Sequence, residues 1–294
     1  MQKMFEYPRK VTSLDISNFD TKNVINMKDM FDKMNNLKYL NVSGLNTSNI
    51  RVMAGMFSSC VNLIEIDLSS FETNKVEDFS YMFYGCNSLK SLNIQNFNTE
   101  NAIDLSEMFS GCSSLTSLDL RGFDTSKVTY MSDMFLNCNN LTSLNLSNFI
   151  TSNVLTMFGM FDSCGNLEIL DLNNFDTSQV TDISFMFQDV SKAKIIEIQN
   201  FNTSEVRDMF AMFKGCESLT SINLSHFSTK NVEDMDKMFE SCPSLKYIDI
   251  SSFYYPKRVY LSDFKAESGY LKINREFYEK LEKKPLDWEI EFID

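Results

Sequence analysis

The chain has 294 residues and a formal net charge of −13, from 40 aspartates and glutamates against 27 lysines and arginines. A surface this acidic repels phosphate groups, so nucleic acid and anionic membranes are poor candidate partners and a protein partner is favoured. The charge serves either solubility or attraction to a basic partner. No stretch approaches the roughly 20 apolar residues of a membrane span, so membrane insertion is not expected.

The chain opens inside a repeated pattern. Met1–Phe5 reads Met-x-x-Met-Phe, and Met27–Phe31 repeats it 26 residues later. We predict that residues 1–10 form a half-repeat that caps the N-terminal end. They lack the apolar run of a signal peptide. The expected location is the cell surface or the medium if an upstream signal was removed, and the cytoplasm if Met1 is the native start.

Residues 11–253 repeat one phrase every 26 residues. It reads Leu-x-Ser-Leu-Asp/Asn-Leu-Ser-x-Phe-x-Thr-Ser-x-Val-x-x-Met-x-x-Met-Phe-x-x-Cys. Tandem repeats of this length indicate a solenoid, in which each repeat contacts only its neighbours. A single repeat buries too little apolar surface to offset the entropy of ordering its backbone and side chains, so stacking is required.

One repeat, Leu115–Asn140, shows the expected elements. Leu118 and Leu120 alternate with polar residues, which predicts a short half-buried strand. Asp124, Thr125 and Ser126 suit a turn and a helix N-cap. An apolar stripe with spacings of three and four then predicts a helix. The stripe comprises Val128, Met131, Met134, Phe135 and Cys138.

These elements predict an α/β fold. Parallel strands stack about 4.8 Å apart and helices pack about 8–10 Å apart, so a stack of both must curve with the strands inside. We therefore expect a leucine-rich-repeat-like, right-handed solenoid of horseshoe shape, with a concave parallel sheet and convex helices.

No cofactor, metal or catalytic group is predicted. The seven cysteines share one column, which Met34 and Val190 fill in other repeats, so we interpret them as buried, unpaired hydrophobes. Their spacing matches no zinc pattern. The single histidine, His226, occupies a position that is polar elsewhere and is expected to be an exposed loop residue. An enzyme is therefore not expected.

The repeats resemble a known family. The segments Leu115-Thr-Ser-Leu-Asp-Leu, Phe123-Asp-Thr-Ser-Lys-Val and Met131-Ser-Asp-Met-Phe resemble BspA-like leucine-rich-repeat surface proteins, in the branch of 26-residue repeats found in mycoplasmas and other host-associated microbes. The resemblance covers most of the chain. It implies a role in attachment to host or neighbouring cells.

One polar column on the predicted concave face alternates Asp with Asn. The column is either a ladder in which Asn amides donate hydrogen bonds to the neighbouring Asp carboxylates, or a polar strip that contacts a ligand. The column comprises Asp15, Asn41, Asp67, Asn93, Asp119, Asn145, Asp171, Glu197, Asn223 and Asp249. The alternation first breaks at Asp171 and Glu197, and two residues earlier stand Ile169 and Ile195, where five repeats have Ser.

These four residues form the candidate partner site, although local repacking would also explain them. The candidate set also contains Tyr39, Tyr247 and Arg121, which project from the same predicted face.

Residues 254–294 leave the repeat. Arg275–Lys284 predicts a helix, and the alternation from Leu286 to Ile293 predicts a strand. A terminal unit must cover the open core, so we expect a C-terminal cap closed by Trp288, with an independent binding element as the alternative.

The sequence as a whole predicts a non-catalytic protein–protein interaction solenoid. Its first expected role is cell-surface or secreted adhesion, in contact with a host or neighbouring-cell protein. The alternative is an intracellular protein that sequesters a partner or neutralises a toxin.

Overall fold

The computed structural model describes residues 1–5, 10–254, 268–281, 284–285 and 287–293. The chain divides into two compact units, Met1–Ile150 and Thr151–Asp294. Each unit is a parallel solenoid in which most repeats contribute a short strand. The predicted tandem-repeat solenoid with parallel strands is therefore confirmed within each unit.

The first unit contains four named strands. They are β1 (Ser13–Asp15), β2 (Tyr39–Asn41), β3 (Glu65–Asp67) and β4 (Ser91–Asn93). β1 pairs with β2 and β3 pairs with β4, all parallel and offset by one repeat, so that Leu14 lies opposite Leu40. Within each strand, the first and third residues face solvent and the middle residue faces the core.

The second unit contains the other six strands and a helix. They are β5 (Ile169–Asp171), β6 (Ile195–Glu197), β7 (Ser221–Asn223), β8 (Tyr247–Ile250), β9 (Gly269–Asn274), α1 (Arg275–Lys280) and β10 (Trp288–Ile293). β5 pairs with β6, and a second sheet has the order β10-β9-β8-β7, all parallel.

The prediction of convex helices is wrong. Within the described residues, α1 is the only α-helix, and it lies outside the repeats. The Met-x-x-Met-Phe segment instead forms consecutive β-turns, with Met30 N donating to Met27 O (3.2 Å) and Met34 N to Phe31 O (3.3 Å). Asp29 and Lys33 have φ angles of 54° and 57°, in the left-handed region that such turns use at their third residue.

Hydrogen bonds between repeats explain why this segment is not helical. Phe31 N donates to Met56 O and Phe57 N to Met82 O, both at 2.9 Å, so these N–H groups are not available for bonds within a helix. Isolated parallel bridges such as Asp78 to Asp104 continue this second ladder. Both sides of each solenoid therefore stack at the spacing of β-strands. The predicted curvature required helices, with their wider spacing, on one side, and the repeats contain none in the described residues.

The apolar columns form the core, as predicted. The second Met, the following Phe and the Cys of each repeat are almost fully buried. Phe31, Phe57 and Phe83 stack face to face with ring centroids 5.5 Å apart. All seven cysteines are buried and none forms a disulfide, and the thiol of Cys60 donates to Phe31 O at 3.3 Å. The Cys60 thiol is thus a core group with a hydrogen-bond acceptor.

The repeated threonine begins a turn, as predicted, with Val24 N donating to Thr21 O (2.9 Å), but no helix follows in the described repeats for it to cap. Its side chain also links neighbouring repeats. Thr21 Oγ1 donates to Asn46 O (2.9 Å) and accepts from Asn46 N (2.7 Å). The nine threonines of this column are all buried. The Thr21 hydroxyl therefore satisfies a backbone donor and a backbone acceptor of the next repeat, and Thr47, Thr73 and Thr99 do the same, which fixes the register of the stack.

The ends continue the same ladders. Phe5 N donates to Met30 O (3.0 Å), and its ring stacks on Phe31 at 5.7 Å. Residues 6–9 of the predicted N-terminal half-repeat lie outside the described residues. At the other end, β9 and β10 extend the repeat sheet by two strands, and Trp288 is buried.

The C-terminal elements agree in part with the sequence. The predicted helix begins at Arg275, capped by Asn274 Oδ1, which accepts from Phe277 N (3.1 Å), but ends at Lys280. Strand β9 was not predicted. Residues 255–267, 282–283, 286 and 294, which fall in the predicted C-terminal elements, lie outside the described residues. The described part of the chain contains no helix with the length and apolar character needed to cross a bilayer.

Candidate interaction surface

The outward side chains of the strands form the candidate surface. In β5, Ile169 and Asp171 are exposed, whereas Leu170 between them is buried. The two-residue period of a strand imposes this arrangement, and the parallel register places equivalent residues of successive repeats side by side. Residues that lie one repeat apart in sequence thus form continuous strips on the face of each unit.

The Asp/Asn column is satisfied mainly by its own backbone. Asp15 Oδ1 accepts from Ser17 N (2.9 Å), and Asn41 Oδ1 accepts from Ser43 N (3.2 Å). These bonds close the turn that follows each strand, and Asp and Asn make them equally well. An amide–carboxylate pair of the predicted kind adds to this at Asp15 and Asn41. Local turn formation is therefore the main reason for Asp or Asn at this position.

Hydrogen bonding keeps these carboxylates ionised. The backbone N–H of Ser17 is the main cause of the lowered pKa of Asp15. The hydroxyl and the backbone N–H of Ser69 lower the pKa of Asp67. Both groups are fully exposed, so they present negative charge directly to solvent and to any ligand.

The second unit brings four of the predicted site residues together. Ile169 and Ile195 pair across β5 and β6, and Asp171 pairs with Glu197 beside them. The isoleucine side chains are 59% and 45% exposed. The strands thus present two adjacent apolar side chains next to two carboxylates.

A local hydrogen-bond chain accompanies the break in the Asp/Asn column. Asp171 Oδ1 accepts from Asn173 N (3.1 Å), and Asn173 Oδ1 accepts from Gln199 N (3.1 Å) of the next repeat. The amide of Gln199 in turn donates to Glu197 Oε2. The N–H of Gln199, which would normally donate to the side chain of Glu197, therefore donates to Asn173 instead. The Glu197 carboxylate lies on the same outward face of the strand as Ile195.

Tyr39 and Arg121 lie in the first unit. Tyr39 is 55% exposed and pairs with Ser13, which leaves its ring open to solvent. Arg121 binds Asp119 with two bonds, Nε to Oδ1 at 3.0 Å and Nη2 to Oδ2 at 2.7 Å. This pairing lowers the pKa of Asp119 to about 2. Arg121 is thus an ion-pair partner of its own repeat as well as an exposed group.

Tyr247 has a neighbour that the sequence did not reveal. Its ring stacks on Tyr270 of β9 with centroids 5.6 Å apart and planes at 3°, and it is half-buried. Burial is the main cause of the raised pKa of Tyr247. The alternation of Tyr270, Lys272 and Asn274 with Leu271 and Ile273 was the signal for β9. Tyr247 therefore offers less area to a partner than Tyr39 does.

A groove in the first unit was also not predicted. It has a volume of about 760 Å³ and runs across β1, β2, β3 and β4. Tyr39 is among its lining residues, and Asp15 and Asp67 contribute carboxylates. In the sequence, the first position of each strand indicates this groove. That position holds the small Ser13 and Ser91 on either side of the larger Tyr39 and Glu65.

The described residues hold no group of three or more His, Cys, Asp or Glu side chains arranged to bind a metal ion. The exposed His226 makes a hydrogen bond of 3.0 Å with Ile198 O through Nε2. Burial raises the pKa of the Cys86 thiol to about 12, so that thiol is neutral at neutral pH. The chemistry that the arrangement presents at its surface is apolar contact, ion pairing and hydrogen bonding.

The repeats of this chain match a known family. The family model described as "Mycoplasma protein of unknown function, DUF285" matches residues 1–118, 103–196 and 157–263. No curated protein sequence matches. A leucine-rich repeat protein from Bacteroides ovatus is similar in structure over 100% of this chain and 87% of that chain, with 17% identity and a TM-score of 0.41. An internalin from Listeria monocytogenes covers 89% and 82%, with 13% identity and a TM-score of 0.23.

Proposed function

The chain belongs to the DUF285 family of mycoplasma proteins of unknown function, and from its geometry we propose that it is a non-catalytic protein-interaction module. The observation that carries the proposal is the exposed pair Ile169 and Ile195, side by side on a rigid sheet. Other repeats place Ser in this column, so the fold does not require an apolar side chain there. Binding is the function that exposed apolar area beside charge supports best.

The composition of this patch defines the partner's chemistry. The two isoleucines require an apolar counterpart, and Asp171 and Glu197 favour basic groups around it. The chain's net charge of −13 would attract the same basic partner over longer distances. We therefore propose a protein partner whose contact surface is apolar at its centre and basic at its rim.

Adhesion is the first form of this proposal. The resemblance of the repeats to BspA-like surface proteins supports binding to a protein of a host or neighbouring cell. A solenoid suits this role because its strips of equivalent side chains offer a large, rigid contact area.

Sequestration of an intracellular partner is the second form. The observation that favours it is that none of the seven cysteines forms a disulfide, because cysteines without disulfides are typical of reducing compartments. The two forms differ in where the partner is found. Labelled protein that binds intact host cells or neighbouring cells supports adhesion, whereas a partner present only in the producing cell's own lysate supports sequestration.

The double variant Ile169→Ser with Ile195→Ser tests the shared proposal. We expect the free energy of unfolding to change by no more than about 0.5 kcal/mol per site, because both side chains are exposed. Affinity for a captured partner should weaken by more than about 1 kcal/mol, because an apolar anchor is lost. Denaturant unfolding and titration calorimetry measure the two effects.

The chain offers a matched control. Ile25 and Ile103 are 63% and 44% exposed, which closely matches the test pair, but they lie outside the strands. The variant Ile25→Ser with Ile103→Ser should leave partner binding unchanged. Unaltered affinity in the test variant, or an equal loss in both variants, would remove the isoleucine pair as the contact site.

A further inference from the structure

The groove of the first unit is built entirely from residues of that unit. Its floor is the strands themselves, whose middle residues Leu14, Leu40, Ile66 and Leu92 turn their side chains toward the core. Tyr39 stands on this floor with an exposed ring and is the large apolar side chain of the groove. An open volume of about 760 Å³ beside an aromatic side chain suits an extended peptide.

The charges of the groove have one sign. Among the described residues, its lining contains the carboxylates of Asp15, Glu65, Asp67 and Asp119 and no lysine or arginine. Arg121, outside the lining, already neutralises part of the charge of Asp119. An occupant that complements this surface therefore carries cationic side chains, and Asp15, Glu65 and Asp67 are the exposed carboxylates that can pair with them.

The spacing of the carboxylates selects the conformation of that occupant. Paired parallel strands lie about 4.8 Å apart, and Asn41 and Asn93 separate the aspartates of this column, so at that spacing Asp15, Asp67 and Asp119 recur about every 9.6 Å. A polyproline II peptide rises about 3.1 Å per residue, which places every third side chain on one face about 9.3 Å apart. In a β-strand, side chains on one face recur about every 6.7 Å, which does not match.

We propose that this groove binds a peptide segment in the polyproline II conformation that carries lysine or arginine at every third residue. The cationic side chains pair with Asp15, Asp67 and Asp119, and Tyr39 packs against the apolar residues between them. Polyproline II segments make no internal hydrogen bonds, so the intervening Asn41 and Asn93 amides can bond to their backbone. The assignment goes beyond the proposed function and does not depend on the isoleucine pair of the other unit.

The alternation in the sequence supplies conservative test variants. Asn41 and Asn93 make the same turn bond through Oδ1 that the aspartates make, with Asn93 Oδ1 accepting from Gln95 N at 3.4 Å. Asp15→Asn and Asp67→Asn should therefore remove charge and leave the fold intact. Thermal unfolding of both variants verifies this before binding is measured.

The probe is a labelled synthetic peptide of repeated Pro-Pro-Lys triplets, measured by fluorescence anisotropy on the full chain. An isomer with the same composition and clustered lysines, and a Pro-Pro-Glu peptide, serve as controls. We expect the Pro-Pro-Lys peptide to bind most tightly and the Pro-Pro-Glu peptide not to bind. The double variant Asp15→Asn with Asp67→Asn should weaken binding by about tenfold, because single exposed ion pairs are weak but those within one ligand add.

Two further variants sharpen the test. Arg121→Ser removes the cation that competes for Asp119, and Ser is common at that position in other repeats, so affinity should rise. Asp176→Asn, in the other unit and outside both proposed contact sites, should have no effect; Asp176 is exposed, and Asn202 stands at the equivalent position of the next repeat. Equal binding of the spaced and clustered peptides would overturn the proposal in favour of unspecific charge attraction. Absence of binding, or unchanged affinity in the double variant, would overturn it outright. None of these results bears on the isoleucine pair, so the two proposals fail separately.

Discussion

At the scale of single residues, the buried threonine is the clearest link between repeats. Thr125 Oγ1 donates to Ile150 O (2.8 Å) and accepts from Ile150 N (2.7 Å). Valine has nearly the same shape but can make neither bond. Thr125→Val should therefore lower the free energy of unfolding by about 2–4 kcal/mol, since it leaves two buried backbone groups unsatisfied.

Thr125→Ser is the matched control for this change. It keeps the hydroxyl and loses one methyl group, which should cost only about 1 kcal/mol. Urea unfolding of both variants decides the matter. If Ser and Val cost the same, the side chain contributes through packing and the hydrogen-bond link is not the main term.

The buried thiols give the protein a defined alkaline sensitivity. Burial raises the pKa of Cys86 and Cys138 from the ordinary value of 9.0 to about 12. Between these values the unfolded chain loses thiol protons that the folded chain retains, so stability falls as pH rises. Each thiol should remove about 1.4 kcal/mol per pH unit in this range, and its contribution is complete below pH 9.

Cys86→Val tests this prediction because Val190 fills the same column naturally. The unfolding free energy of the variant should fall less steeply with pH above 9 than that of the original chain, while all other titrating groups stay the same. A thiol-specific disulfide reagent should also leave all seven cysteines unmodified until the protein unfolds. Parallel pH profiles, or rapid native labelling, would show that Cys86 is not buried in solution.

At the scale of elements, the strands could be predicted and the turn segment could not. Leu40 and Val42 alternate with polar residues, and β2 forms there, as predicted. The same alternation at Leu118 and Leu120 forms no strand, so the pattern predicts most strands but not every one. The spacing of Met131, Met134 and Cys138 fits one face of a helix, but it fits consecutive turns closed by bonds from residue i+3 equally well. A helix as short as this stripe is also only marginally stable by itself, so the backbone bonds between repeats can replace it.

Another column carried the missing signal. The position before each cysteine is Gly, Asn or Ser, and Asp189 precedes Val190 in the same column. Gly, Asn and Asp are the residues that best tolerate positive φ. Gly85 has a φ of 66° there, and Asn137 has 59°. A fixed left-handed position inside the supposed helix argues for a turn. The site residues were more predictable, because the exposure of Ile169 and Ile195 follows from strand alternation alone.

Substitution at Gly85 distinguishes the turn from a helix. In this turn Gly85→Val should cost about 1–3 kcal/mol, because a β-branched side chain is strained at positive φ. Gly85→Asn should cost clearly less, as Asn137 shows at the equivalent position. Space does not confound the comparison, since an added Cβ would lie 3.6 Å from the nearest Ser59 atom. In a helix, Val and Asn have nearly equal propensities, so equal losses in stability would contradict the turn.

At the scale of the whole molecule, the repeat is the unit of both stability and binding. Backbone hydrogen bonds join neighbouring repeats on both sides of the solenoid, and the threonine adds a third link between them. No repeat is therefore unique to the fold, and the exposed columns vary without cost to the core. Different repeats can therefore carry different surfaces, such as the isoleucine pair and the acidic groove.

Deletion of whole and partial repeats tests this picture. In the intact chain Ile150 is bonded to Thr125. Removing Leu115–Asn140 deletes Thr125 and brings Thr99 into register with Ile150 instead. All ladders can then close, so we expect a folded protein that unfolds cooperatively, with a denaturant slope lower by about one repeat's share. Removing only residues 115–127 aligns Thr99 with Asn137 of the turn segment instead, which places strands against turns and leaves backbone groups unpaired.

Circular dichroism and urea unfolding of the two deletions give the result. The half-repeat deletion should lose cooperative unfolding, although it removes only half as much of the chain as the whole-repeat deletion does. A deletion of residues 89–114, also one whole repeat, is the matched control and should behave like the first. If the partial and whole deletions melt alike, stability does not depend on register between neighbours, and the nearest-neighbour description of this solenoid is wrong.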